Sequence, residues 1–126
     1  AGELGALKYR DGSLEDYCSG NFFQQFHNIS GQALCENAER GDPAAKKILN
    51  QFGAHVAAAI SAVLLAYDPE VVVLGGSVAR AYPFFSENLR AEMETFPFQK
   101  IWEKTKLLIS NNPSSAVLGA AYLIAK

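Results

Sequence analysis

The stretch from Asp42 to Leu74 constrains the fold more than any other part of the chain. An Asp followed by Pro is a strong helix start, with the Asp as N-cap and the Pro at the first helical position. From there Ile48, Phe52, Val56, Ile60, Leu64 and Tyr67 recur at helical spacing, which predicts one helix over Pro43 to Tyr67. At 1.5 Å per residue it is about 37 Å long, enough to cross a whole domain. Its middle is rich in small residues, Gly53, Ala54, Ala57, Ala58, Ala59, Ser61 and Ala62, so neighbours are expected to approach closely on several sides. Pro69 ends the helix, and Val71-Val72-Val73-Leu74 follows at once. An apolar run without polar alternation marks a strand buried on both faces.

The remaining punctuation fills in an α/β layer. Leu4 to Tyr9 reads as a short strand ending in the Asp11-Gly12 turn, with Ser13 as the N-cap of a helical stretch bent around Ser19-Gly20. A helix is expected from about Ser30 to Arg40, stopping at Gly41. Another is expected from about Pro83 to Thr95, then a strand over Lys106 to Ser110. The Asn111-Asn112-Pro113 turn leads to a last helix, capped by Ser114 or Ser115 and ending near Ala125. The chain has no internal repeat.

Composition narrows the function classes. The 126 residues suffice for one hydrophobic core, so residues 1–126 read as a single domain. A hydrophobic share of 49% with 19% charged residues fits a globular protein. The net charge is −2, and Lys8, Arg10, Lys46, Lys47, Lys100, Lys104 and Lys106 are dispersed among acids. A nucleic-acid partner would call for a clustered basic face. Cys18 and Cys35 are too few and too irregular for a disulfide framework and read as reduced, buried thiols of a cytoplasmic protein. The apolar stretch Val56 to Ala66 is short of the roughly 20 residues of a membrane span. The opening residues show no secretory signal, and Met93 is the lone methionine. Ala1 therefore reads as a processing boundary or the start of a fragment.

Candidate binding residues sit at glycines. Gly75-Gly76-Ser77 places bare backbone at the carboxyl end of a buried strand, the usual ligand position in open α/β sheets. Such backbone can approach a phosphate, a ribose or an adenine edge; a plain turn is the more common reading of Gly-Gly after a strand, and GxGxxG and GxxxxGKS are absent. Glu3, between Gly2 and Gly5, could accept two hydroxyl hydrogen bonds from a sugar, or stand solvated beside a turn. Glu15 lies in a first helical turn, where the helix dipole favours a carboxylate. His27 and His55 have no second ligand at metal spacing and read as packing or surface residues. Phe22, Phe23 and Phe26 read as core in preference to a stacking platform, and Phe84, Phe85, Phe96, Phe98 and Trp102 as packing residues or an oligomer contact.

Four segments in order resemble one family. Ala1-Gly2-Glu3-Leu4-Gly5 resembles the AGE(I/L/F)G segment of ROK-family sugar kinases and repressors, and Leu14 to Gly20 the LExYxSG stretch that follows it. Asp68 to Gly76 resembles NPExIVIGGG, and Leu118-Gly119-Ala120-Ala121 the closing LIGAA helix. The resemblance implies the C-terminal lobe of an actin-like, ribonuclease-H-like ATPase fold, a mixed sheet packed by helices. It also implies transfer of the γ-phosphate of Mg-ATP to a hexose or amino sugar. Glu3 and Glu15 match glutamates that bind the sugar, and Gly75 and Gly76, with Ser77 in the place of a third glycine, match the adenosine-binding segment. The family's catalytic Asp and phosphate motifs fall before Ala1, so no catalytic residue is expected in this chain and its partner is an N-terminal lobe.

Two departures qualify the match. Where many relatives carry a zinc-ligating His after the first motif, this chain has Ala6. The Cys-rich loop is replaced by the connection from Leu7 to Ser13, so no zinc or other structural metal is expected. A homo-oligomer is compatible with the sequence. The rival implied by the same resemblance is the sugar-sensing effector domain of a transcriptional repressor.

Overall fold

The computed structural model describes residues 8–10, 12–13, 21–110 and 121–124. Two short strands, β1 (Lys8–Tyr9) and β2 (Gly12–Ser13), form an antiparallel hairpin around Arg10. Helices α1 (Asn21–His27), α2 (Gly31–Glu39) and α3 (Pro43–Tyr67) follow, then strand β3 (Val71–Leu74) and helix α4 (Gly76–Met93). Helix α5 (Gln99–Lys104), strand β4 (Lys106–Ile109) and strand β5 (Ala121–Ile124) complete the order.

The helix boundaries have local causes. Ser30 caps α2 by accepting from the Ala33 amide at 3.1 Å. At the other end Gly41, with φ +97°, donates to Ala38 O, while the Asp42 amide donates to Asn37 O. Those two bonds are a Schellman stop, which needs a left-handed residue and takes glycine for it. The Asp42 carboxylate then accepts from the Ala44 amide at 3.1 Å and starts α3 directly behind Pro43. α3 runs unbroken for 25 residues and closes on Asp68 in the left-handed region, bonded to Leu64 O.

β3 is the centre of a three-stranded mixed sheet ordered β4-β3-β5, parallel to β4 and antiparallel to β5. Val72 and Leu74 join the main core, with Leu107 and Ile109 of β4 packed against it. Val71, Val73, Lys106 and Leu108 alternate onto the other side, where Leu108 is exposed. The core itself lies where α3 meets α4: Leu49, Phe52, Val56, Ile60 and Leu64 pack with Val78, Ala81, Phe85, Leu89 and Met93. By length and composition α3 passes the test for a membrane-crossing helix, as the core helix of a globular protein also does. Here its apolar face is covered by protein.

Three sequence expectations need correction. α4 starts at Gly76 and runs through Pro83, seven residues before the expected start. Interior proline costs a helix roughly 3 kcal/mol, but Val78, Ala81, Phe85 and Leu89 are all fully buried at helical spacing on both sides of it. Burial of that stripe at roughly 1.5–3 kcal/mol per large side chain outweighs the loss. Secondly, Ala121–Ile124 is a strand, where a helix was expected. It pairs along all of β3, from Val71↔Ile124 to Leu74↔Ala121, so the free edge of β3 finds backbone partners that helical propensity alone does not foresee. Thirdly, Phe26 is exposed, not core; Phe98, expected as a packing residue or an oligomer contact, is exposed as well. α5 was not expected; Gln99 holds its start by donating to Phe96 O and Met93 O.

Candidate functional site

The parallel strands β3 and β4 end together, and this carboxyl edge is where the glycines lie. The Ser110 amide donates to Leu74 O at 2.8 Å, which brings the end of β4 beside Gly75. Gly75 is extended and buried at the N-cap position of α4 and has no side chain to cap the helix. Gly76 turns with φ +61° into the first helical turn, and the first helical bond runs from the Ala79 amide to Gly75 O. The amides of Gly76, Ser77 and Val78 therefore stand at the start of α4 without intrahelical acceptors, as in any first turn. The positive end of the helix dipole adds to them. This arrangement can accept oxygen-rich, negatively charged or hydroxylated groups on bare backbone.

Gly75, Gly76 and Ser77, expected from sequence as binding residues, are thus contiguous at one strand-to-helix edge. Ser110 joins them there, a residue to which the sequence assigned no role. The signal lay only in its position, one past a strand parallel to the glycine strand. Glu3 and Glu15, the expected sugar ligands, lie outside the described residues, as do Ala6 and Cys18. Among the described residues no cluster of three or more His, Cys, Asp or Glu could hold a metal ion.

A side chain at Gly76 has a steric cost independent of any ligand, because L residues reach φ +61° only under strain. Gly76→Val is therefore expected to lower stability by about 1–2 kcal/mol. Gly76→Asn, which tolerates left-handed backbone, is expected to stay within a few tenths of the parent. Urea unfolding of both variants checks this; equal losses would mean that φ is not the constraint.

Behind this edge the helices are tied by polar contacts. Arg80, one turn into α4, donates to both Glu39 carboxylate oxygens, with Nη2 to Oε1 at 3.0 Å. The pair is solvated on both sides, so it orients α2 on α4 more than it stabilises them. Asn88 Nδ2 donates to Asn50 O at 2.7 Å and pins α4 to α3. Burial pushes the Cys35 thiol up, with Arg80 acting in the opposite direction. That makes it an inert thiol, since the thiolate is the reactive form. On α3, burial and then the charge of Arg10 push the His55 imidazole down to about 4.

Comparison with known proteins adds the following. The ROK family model matches residues 10–126. An N-acetylmannosamine kinase from Yersinia pestis (strain Pestoides F) is 32% identical over 93 residues, covering 74% of this chain and 31% of the relative. An uncharacterised Clostridium perfringens protein is 23% identical over 131 residues, covering 97% and 44%. Two solved structures share the fold. One, from Cytophaga hutchinsonii ATCC 33406 and provisionally named a sugar kinase, superposes with a TM-score of 0.75 at 18% identity, covering 93% of this chain and 46% of that one. The other, a ROK family transcriptional regulator homologous to the E. coli MLC protein, gives 0.71 at 20% identity, covering 93% and 36%. The chain spans less than half the length of each of these proteins.

Proposed function

Because this chain belongs to the ROK family, we propose that it forms the sugar- and adenosine-binding part of an ATP-dependent hexose or amino-sugar kinase, within an actin-like, ribonuclease-H-like lobe. The observation that carries the reading is the bare edge Leu74-Gly75-Gly76, where buried backbone turns into an uncapped helix start beside Ser110. No Cβ stands on Gly75 or Gly76, and the amides that follow suit ribose or phosphate oxygens, so the residues present fit a nucleotide. Mg-ATP when bound would supply the phosphoryl group to be transferred. The work of this chain is positioning, which with electrostatics accounts for most of the acceleration in phosphoryl transfer. Gly75 to Ser77 hold the nucleoside by backbone, and Glu3 and Glu15 accept the sugar hydroxyls and set the acceptor's orientation. The general base, an Asp that removes the hydroxyl proton, belongs to polypeptide outside this chain.

A coupled ADP-release assay on the protein that contains this chain, run across hexoses and N-acetylated amino sugars, tests the reading. Turnover on at least one sugar is expected. Glu3→Gln and Glu15→Gln each weaken charge-assisted bonds of about 1.5–3 kcal/mol, so the sugar KM is expected to rise about 10- to 100-fold. The ATP KM should hardly move. Gly76→Asn is expected to do the reverse, raising the KM for ATP while sparing that for sugar. Unchanged ATP affinity in a folded Gly76→Asn protein would remove the edge from the nucleotide site.

A second reading has a specific observation behind it: a transcriptional regulator of the same family shares the fold with a TM-score of 0.71. In that case the segment senses a sugar without transferring phosphate. Silence on every sugar, together with sugar-dependent release of DNA, would decide for it.

A further inference from the structure

We propose that Pro83 is a positioning residue for the nucleotide edge: it divides α4 into two separately held halves, and the setting of the first half decides where Gly75 and Gly76 stand. The proposal deepens the kinase reading and rests on it for the link to ATP. Pro83 lies inside α4 and is exposed. Proline has no amide hydrogen, so Ala79 O receives no helical bond from position 83, and the ring crowds that carbonyl. Helices bend where such a bond is lost. Here the loss falls about two turns after Gly76, between the candidate site and the rest of the helix.

The contacts of α4 divide at the same point. Residues 84–93 are locked on α3. A Cβ on Gly53 would stand 2.8 Å from the Phe85 carbonyl oxygen and 3.2 Å from the Leu89 amide nitrogen, so backbone meets backbone there. Asn88 donates to Asn50 O at 2.7 Å, and the large side chains Phe85, Leu89 and Met93 are fully buried. Residues 76–82 are held differently. Their fully buried side chains are the smaller Val78 and Ala81, and Arg80 ties them to Glu39 on another helix, α2. Across Pro83 the halves are joined by side chains. Arg90 donates to the Tyr82 hydroxyl at 2.9 Å, and the Tyr82 ring meets Phe85 edge-on at 5.5 Å. Less apolar surface holds the first half, and local opening follows buried contacts.

A helix bent with its convex side to solvent turns its end toward the core. With the proline on that side, residues 76–82 carry the amides of Gly76, Ser77 and Val78 with them. A nucleotide on those amides is held by the first half alone, so a small rotation about Pro83 moves it while residues 84–93 stay on α3. Alanine at position 83 restores the bond to Ala79 O and makes α4 one rod.

Hydrogen exchange of the whole protein, corrected for intrinsic rates, reads the division. Amides 79–82 are expected to exchange at least about 10-fold faster than amides 87–92, and Pro83→Ala to close most of that gap. Tyr82→Phe, which drops the bond from Arg90 and keeps the ring, is expected to widen it while amides 87–92 stay as they were. Equal protection of the two segments in the parent would overturn the proposal, and needs no variant to fold. So would an undiminished gap in Pro83→Ala, which is what fraying of the helix end by itself produces. Calorimetry with Mg-ATP reads the positioning. Pro83→Ala is expected to weaken binding about 10-fold and to raise the KM for ATP but not for sugar. Glu87→Ala, exposed one turn later on the same face, is the control and should change neither. Unchanged Mg-ATP affinity in a Pro83→Ala protein whose exchange gap has closed would overturn the proposal. A parent that binds no Mg-ATP would count against the function reading, whereas the exchange gap tests the divided helix without any nucleotide.

Discussion

Phe52→Ala is expected to cost about 4 kcal/mol of unfolding free energy, seen as a lower urea midpoint at unchanged slope. The residue sits mid-way along α3 with no exposed surface, and its ring meets Phe23 at 4.7 Å, Phe22 at 5.5 Å and Phe85 at 5.6 Å. It is therefore the side chain through which α1, α3 and α4 share one core. Truncation removes transfer free energy and leaves a cavity walled by rings on two other helices, which cannot all collapse inward together. Against a total of about 5–15 kcal/mol for a domain, a loss of that size is severe. Phe26→Ala is the control. That ring is 43% exposed, so its loss should stay below about 1 kcal/mol. A Phe52→Ala penalty no larger than the Phe26→Ala one would mean that the three helices do not share the core described.

The elements legible in the sequence were those whose ends are set locally. Asp42-Pro43 and the apolar spacing up to Tyr67 specify α3 because cap, proline and periodicity act within the helix itself. Gly41 marks the end of α2 for the same reason, a left-handed position no other residue fills as cheaply. β3 was legible as an apolar run. What escaped depended on distant partners. Gly75-Gly76 looks like a break, and only the packing of Val78 and Ala81 on α3 shows that a helix starts at once. α5 has no capping side chain at its start and is held by bonds from Gln99. β5 is a strand because β3 has an edge to offer, which no local feature of Ala121 to Ile124 announces.

The candidate site divides along the same line. Gly75, Gly76 and Ser77 could be named because a buried strand followed by glycine is a local pattern, and the structure confirms that the turn sits at a carboxyl edge. Ser110 could not, because its place beside Gly75 arises from parallel pairing of strands more than thirty residues apart in sequence. His55 reads from sequence as a packing or surface residue, and its half-buried position lies between the two. Its contact with Phe22 depends on where α1 packs, which no local feature around His55 announces.

Gly53 tests the small-residue stripe of α3 most sharply. A Cβ built there would lie 2.8 Å from the carbonyl oxygen of Phe85, 3.1 Å from the Phe85 Cβ and 3.2 Å from the Leu89 amide nitrogen. Two effects oppose each other on substitution. Replacing glycine by alanine within a helix gains roughly 1 kcal/mol in propensity. Forcing a methyl group into a filled contact costs about 1–3 kcal/mol, and the upper end applies because the nearest atom is backbone, which cannot rotate away. Gly53→Ala is therefore expected to destabilise by about 2 kcal/mol net. Gly53→Val, with two more carbons and a poorer propensity, should lose about 3 kcal/mol or more. Truncating Phe85 should not rescue either variant, since the obstructing oxygen stays in place, so the double mutants should lose at least the sum of the single losses. Thermal or urea unfolding of the single and double variants reads all of this. A Gly53→Ala protein about 1 kcal/mol more stable than its parent would show that α3 and α4 do not approach this closely.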